Sequence, residues 1–140
     1  MKDKLNPFHL AIPVRDLKKA ISFYRDILEL ELGRTSQDWA DFNFFGHQLV
    51  CHVSDNAIEK INNHVDGEDV PVPHFGVILS IDEYNEFVSK IKGKNINFII
   101  KPTIRFKGQV GEQKTMFFRD PSGNAIEVKA FKDMKNLFRS

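Results

Sequence analysis

The chain has 140 residues, 41% hydrophobic and with thirteen Phe, which suits one compact domain or two small packed halves and excludes disorder. Twenty basic residues stand against nineteen acidic ones with no run of like charge. No field for nucleic acid or an anionic membrane follows, and a small molecule is the expected partner. The single Cys51 rules out an internal disulfide and fits a reducing compartment. MKDKLNPFHL has no apolar leader and no stretch reaches transmembrane length, so a cytoplasmic location is expected.

NPFHLAIPV reads as a strand, with Phe8, Leu10 and Ile12 alternating against Pro7, His9 and Ala11. Asp16 then caps a helix whose Leu17, Ala20, Ile21, Tyr24, Ile27 and Leu28 recur at helical spacing. Three strands follow: LELGRTS, DWADFNFF and, after a turn at Gly46, HQLVCHV. Residues 55–72 are polar and read as a linker with room for one helical turn at NAIEKINN. The pattern then restarts. PHFGVILS is a strand, and DEYNEFVSKIKGKN is a helix with Tyr84, Phe87, Val88 and Ile91 inward and Gly93 near its end. INFIIKP, KTMFFRD and NAIEVKAF are strands, and PTIRFKGQVGEQ is a polar loop longer than a hairpin needs, of the kind that covers substrates. DMKNLFRS offers at most a last helical turn.

The expected class is α+β: two paired βαβββ modules, about 5–54 and 73–131, in one domain 1–140 with a tail at 132–140. Neither half can bury a core alone, so the sheets are expected to complete one another as a cupped mixed sheet with helices outside.

Side chains alternate along a strand, so the residues packing under a helix fix the direction of those between them. With Phe8, Leu10 and Ile12 inward, His9 faces away from the helix. With Phe75, Val77 and Leu79 inward, His74 and Gly76 do; with Ile126 and Val128 inward, so does Glu127. Taken singly, each His is more often a hydrogen-bonded or surface residue than a ligand, and Glu127 could be the solvent-facing residue of an edge strand. Taken together, two imidazoles and a carboxylate on equivalent faces form a metal-binding set. They fit one face of an octahedron around Fe(II), and Zn(II) also accepts them.

These features are similar to the vicinal oxygen chelate superfamily, which groups glyoxalase I, extradiol dioxygenases, fosfomycin-resistance proteins, methylmalonyl-CoA epimerase and bleomycin-resistance proteins. The resemblance lies in HLAIPVRDLKKAISFYRDIL, PHFGVIL and FFRDPSGNAIEV, and spans roughly residues 5 to 131. It implies metal ligands at His9, His74 and Glu127. Aligning the turn glycines Gly46 and Gly123 puts Val50 at the family's fourth ligand position. Valine binds no metal, which disfavours a glyoxalase I or epimerase and favours three-ligand members, the extradiol dioxygenases and fosfomycin-modifying enzymes. The triad also disfavours a drug-binding bleomycin-resistance protein. Fosfomycin enzymes usually carry a hydroxyl and a Tyr where this chain has Ala11 and Phe117.

The expected activity is therefore extradiol-dioxygenase-like Fe(II) chemistry on a small diol, phenol or hydroxy-carbonyl compound. The alternatives are a non-oxidative lyase, isomerase or thiol transferase using Mn(II), Zn(II) or Ni(II), and a non-catalytic sequestering protein. His52 is the candidate acid/base, unless Asp41 or Asn43 holds it in a structural network. Trp39, Asp41, Asn43, Gln48, Arg105 and Phe117 are candidate substrate contacts, Arg105 and Lys107 from the long loop, while Lys129 is placed to neutralise a carboxylate or substrate. His47 and His64 are expected to be structural or at the surface. Relatives of this fold commonly dimerise, so a homodimer is expected.

Overall fold

The computed structural model describes residues 4–56, 61–65 and 68–139, the side chains of 61–63 and 68 excepted. It divides into two compact units, Met1–Ile58 and Glu59–Ser140. Among the described residues no helix is long and apolar enough to cross a membrane.

The first unit runs β1 (His9–Val14), α1 (Leu17–Ile21), a π-helical stretch (Ser22–Ile27), β2 (Glu31–Thr35), β3 (Trp39–Phe44) and β4 (His47–Val53). Its sheet order is β1-β4-β3-β2, with β1 parallel to β4 and the other pairs antiparallel. Asp16 caps α1 by accepting from the Lys19 N–H at 3.1 Å. The helix then widens to i→i+5 bonding, and the Leu28 N–H donates to the Phe23 carbonyl at 3.0 Å. The wider turn brings Phe23, outside the expected stripe, into the core beside Tyr24. The Tyr24 ring meets Phe42 of β3 at 5.3 Å, and burying a side chain such as Phe42 is worth about 2–3 kcal/mol.

The second unit opens with a hairpin, β5 (Ile61–Val65) and β6 (Glu68–Val72), followed by β7 (Phe75–Leu79), α2 (Ile81–Ile91), β8 (Asn97–Arg105), β9 (Gln113–Arg119) and β10 (Ala125–Phe131). A 3₁₀ turn at Met134–Asn136 closes the chain's last element. The main sheet order is β7-β10-β9-β8, again with the first pair parallel. α2 begins with a capping box between Ser80 and Glu83 and buries Tyr84, Phe87 and Ile91. The two βαβββ modules are thus present.

Several expectations are corrected. Phe8 lies ahead of β1 and is 64% exposed, so Leu10, Ile12 and Val14 form the inward row instead. The linker is a β-hairpin belonging to the second unit: Val70 of β6 packs on Ile100 and Phe117, so its apolar residues cover part of a sheet face. Within the helical turn expected at 56–63, residues 57–60 lie outside the described set and 61–63 are strand. β8 extends through Arg105, which cuts the expected long loop at 102–113 to residues 106–112.

The registers of the two units correspond. In β1–β4, His9 stands opposite Gln48 and Ala11 opposite Val50. In β7–β10, Gly76 stands opposite Glu127, and Glu127 also opposes Phe117 of β9 as Val50 opposes Asp41 of β3. Counting from each histidine, Val50 occupies in the first unit the position that Glu127 occupies in the second.

Candidate metal centre

Within the second unit, His74 precedes β7 and Glu127 sits mid-strand in β10, with imidazole Nε2 3.5 Å from carboxylate Oε1. His74 Nδ1 donates to the Pro71 carbonyl at 2.6 Å. A carbonyl only accepts, so the proton resides on Nδ1 and leaves Nε2 as the lone-pair nitrogen of the neutral ring. The ring also meets Phe117 edge-on at 5.0 Å.

Glu127 is 9% exposed and is held from several directions. The hydroxyl of fully buried Thr115 donates to Oε2 at 2.6 Å, and Lys129 Nζ lies 3.8 Å from Oε1. The Thr115 carbonyl in turn accepts from the Tyr84 hydroxyl of α2 at 2.9 Å. Gly76 is required beside it, because a Cβ at that position would collide with the Glu127 backbone. Burial alone would push the Glu127 carboxyl up. The hydrogen bond that His74 donates from Nε2 once its ring is protonated, the one from Thr115 and the Lys129 charge outweigh it and hold the carboxyl below its ordinary value. The bond to Glu127 correspondingly raises His74 against the opposing effect of burial. Burial, helped by the Glu127 charge, pushes Tyr84 up to about 12, which keeps its hydroxyl a donor.

A cavity of about 250 Å³ opens on this pair, lined by His74, Gly76, Glu127 and Lys129 among others. One oxygen of Glu127 is occupied by Thr115 and one nitrogen of His74 by Pro71. The facing atoms, Oε1 and Nε2, are an oxygen and a nitrogen donor of the kind that would hold a divalent cation. Within this unit no third His, Cys, Asp or Glu among the described residues joins them.

In the first unit His9 is exposed at the start of β1, and its Nδ1 lies 2.7 Å from Gln48 Oε1. Gln48 Nε2 donates to Asp41 Oδ2 at 3.1 Å. Asp41, 7% exposed, also accepts from the Arg34 backbone N–H. His52 is exposed on β4, in register with Trp39, over whose ring the Arg34 guanidinium lies at 5.8 Å. Asp41 and Asn43 are not the structural partners considered for His52: Asp41 bonds Gln48 and Arg34, and Asn43 Oδ1 accepts from the Gly46 N–H at 2.7 Å.

Several candidate substrate contacts have other occupations. Arg105 lies in a strand rather than a loop, is 6% exposed, and donates through Nη2 to the Val65 carbonyl, tying β8 to the hairpin. Phe117 is 1% exposed between His74 and the Val70–Ile100 cluster, so it packs behind the imidazole. Asn43 closes the turn at Gly46, while Asp41 and Gln48 bond within the unit. His47 accepts from the Phe8 N–H at 2.8 Å, and exposed His64 pairs with Asp69 across the hairpin at 3.3 Å. Thr115, Tyr84 and Pro71 escaped the sequence reasoning. Thr115 was detectable as a hydroxyl on the face of β9 shared with Phe117, whereas Pro71 acts through a carbonyl that its identity does not advertise.

The pattern of the Glyoxalase/Bleomycin resistance protein/Dioxygenase superfamily matches residues 6–128. A solved glyoxalase/bleomycin resistance protein/dioxygenase from Alicyclobacillus acidocaldarius is 33% identical, with TM-score 0.84, covering 99% of this chain and 100% of that one. The metallothiol transferase FosB of Staphylococcus epidermidis is 26% identical over 125 residues, covering 86% of this chain and 78% of its own length. A virulence protein of Salmonella typhimurium is also 26% identical over 125 residues, covering 88% and 82%.

Proposed function

Because the chain belongs to the Glyoxalase/Bleomycin resistance protein/Dioxygenase superfamily, we propose that it is a metal-dependent enzyme whose divalent cation is held by His74 and Glu127 of the second unit, and that His9 of the first unit is likewise a metal ligand. The observation that carries this reading is the His74 Nε2–Glu127 Oε1 pair, at 3.5 Å, with the remaining polar atoms of both side chains already engaged. His9 enters through its equivalence to His74, two residues before the position opposite Val50 as His74 is before the one opposite Glu127. The enzyme would be a homodimer.

Of the chemistries open to such a site, non-oxidative transfer of a thiol to a small oxygen-bearing electrophile has the best support, from the similarity to metallothiol transferases. A bound divalent cation supplies Lewis acidity to a substrate oxygen. In the proposed step a C–S bond forms as a C–O bond breaks, and the thiol proton ends on the released oxygen. Lys129, lining the same cavity, offers its ammonium to that developing charge, and His52 is the candidate proton carrier. Ala11 and Phe117 replace the hydroxyl and Tyr of fosfomycin-modifying members, so an electrophile other than fosfomycin is proposed. Val50 also suits an Fe(II) dioxygenase, because it leaves three ligands rather than four.

The test is anaerobic purification followed by elemental analysis, then turnover of thiols with a panel of small electrophiles without oxygen. One equivalent of divalent metal is expected, with affinity reduced at least about 100-fold in Glu127→Ala. Absence of stoichiometric metal, with equal loading of the variant, would refute the proposal. Turnover that requires Fe(II) and consumes oxygen would replace thiol transfer with the dioxygenase reaction.

A further inference from the structure

The first unit contains a side-chain chain running Asp41–Gln48–His9 that ends on the proposed ligand. Asp41 Oδ2, on a carboxylate that is almost wholly buried, accepts from Gln48 Nε2 at 3.1 Å. The amide of Gln48 is thereby oriented: its NH₂ faces the carboxylate and its oxygen faces His9, at 2.7 Å from Nδ1. An amide oxygen has no proton to give, so His9 Nδ1 must donate, and in the neutral ring the lone pair falls on Nε2.

Asp41 is itself fixed. Its Oδ1 accepts from the Arg34 backbone N–H, and the preceding Gly33 makes room for it, since a Cβ there would overlap Oδ1. The Arg34 side chain adds only a distant and exposed contact, Nε to Oδ2 at 3.7 Å. His74 attains the same protonation pattern by a different route, through the backbone carbonyl of Pro71. Two histidines at corresponding positions are therefore both held as Nδ1–H tautomers, one by the main chain and one by a relay.

We infer that Asp41 and Gln48 are positioning residues, not substrate contacts, and that their relay fixes His9 as the Nδ1–H tautomer with Nε2 available to a cation. The inference rests on the reading of His9 as a metal ligand. Outer partners of this kind commonly alter metal affinity by about 10–100-fold.

The test uses the full-length, metal-free protein with ¹⁵N-labelled histidine, observed by long-range ¹H–¹⁵N NMR at about pH 8, where free imidazole is neutral. Wild type is expected to show His9 predominantly as Nδ1–H. Gln48→Leu, which removes the acceptor, is expected to move it at least about 5-fold toward Nε2–H and to weaken zinc binding by about 10–100-fold in calorimetry. Asp41→Asn, which allows the Gln48 amide to present either end, is expected to give an intermediate ratio. A mixed or Nε2–H tautomer in wild type, or an unchanged ratio in both variants, would overturn the inference whatever the metal affinity. His9→Ala with unchanged zinc affinity would instead overturn the assignment of His9 as a ligand. The tautomer ratios would still show whether the relay acts.

Discussion

Opposite the second residue past each histidine, the first unit carries Val50 and the second carries Glu127, on strands paired in the same parallel register. The surroundings differ as much as the residues. Glu127 has a donor hydroxyl, an imidazole and an ammonium around it, and a glycine opposite. Val50 has Ala11 opposite, and the nearest carboxylate, Asp41, is committed to Gln48 and the Arg34 backbone. A repeated backbone supplies equivalent positions, and the side chains on the same and the adjoining strands decide which of them can carry charge.

The largest effect is expected from erasing that difference. Val50→Glu places a carboxylate at a buried position without the partners that Glu127 has, and should cost about 3 kcal/mol in the metal-free protein, measured by urea unfolding. If added zinc or manganese restores the midpoint, the first unit can also contribute a ligand. No loss of stability would show that the two environments are less different than their partners imply.

Next is the residue opposite. Gly76→Ala forces a methyl onto the Glu127 backbone and should cost about 2 kcal/mol, with a parallel loss of metal affinity. The corresponding reverse change, Ala11→Gly, should cost only about 0.5–1 kcal/mol through backbone entropy. Equal costs would contradict the close approach at Gly76. Thr115→Val, which removes the donor to Glu127 Oε2, should cost about 1–2 kcal/mol in the metal-free state. The equivalent residue of the first unit by register, Trp39, has no such role.

The smallest effect is the pH dependence of the metal-free protein. His74 is raised, so its contribution is present below its unfolded value and fades as pH rises through the folded one. Glu127 is lowered, so its contribution is present above its unfolded value and is lost as pH falls through the folded one. The pair is therefore strongest between the ordinary values of the two groups, about pH 4.3 and 6.5. Thermal unfolding should show an added stability in that window that Glu127→Gln abolishes.

The duplicated architecture was legible because its signals are local and repeated: inward rows such as Ile126 and Val128, the Asp16 cap and the turn glycines. The face carrying Glu127 followed from alternation alone. Less accessible were features set by long-range packing. Asp41 and Gln48 read as polar residues awaiting a ligand, yet each finds its partner seven residues away in sequence across one antiparallel pair. Arg105 read as a loop cation because strand continuation past Pro102 has no sequence marker, and its acceptor is a backbone oxygen 40 residues earlier. Phe23 entered the core only because the helix loosened its turn.

The Pro71 carbonyl lies on the hairpin that precedes the second repeat and has no counterpart in the first unit's element order. The order of the two repeats is thus not interchangeable: the histidine that follows the hairpin is oriented by main chain, and the one before it must recruit side chains. A circular permutant opened between Pro71 and His74 would retain every strand of both repeats. It would free the His74 ring to rotate, separating possession of a ligand from its readiness to bind.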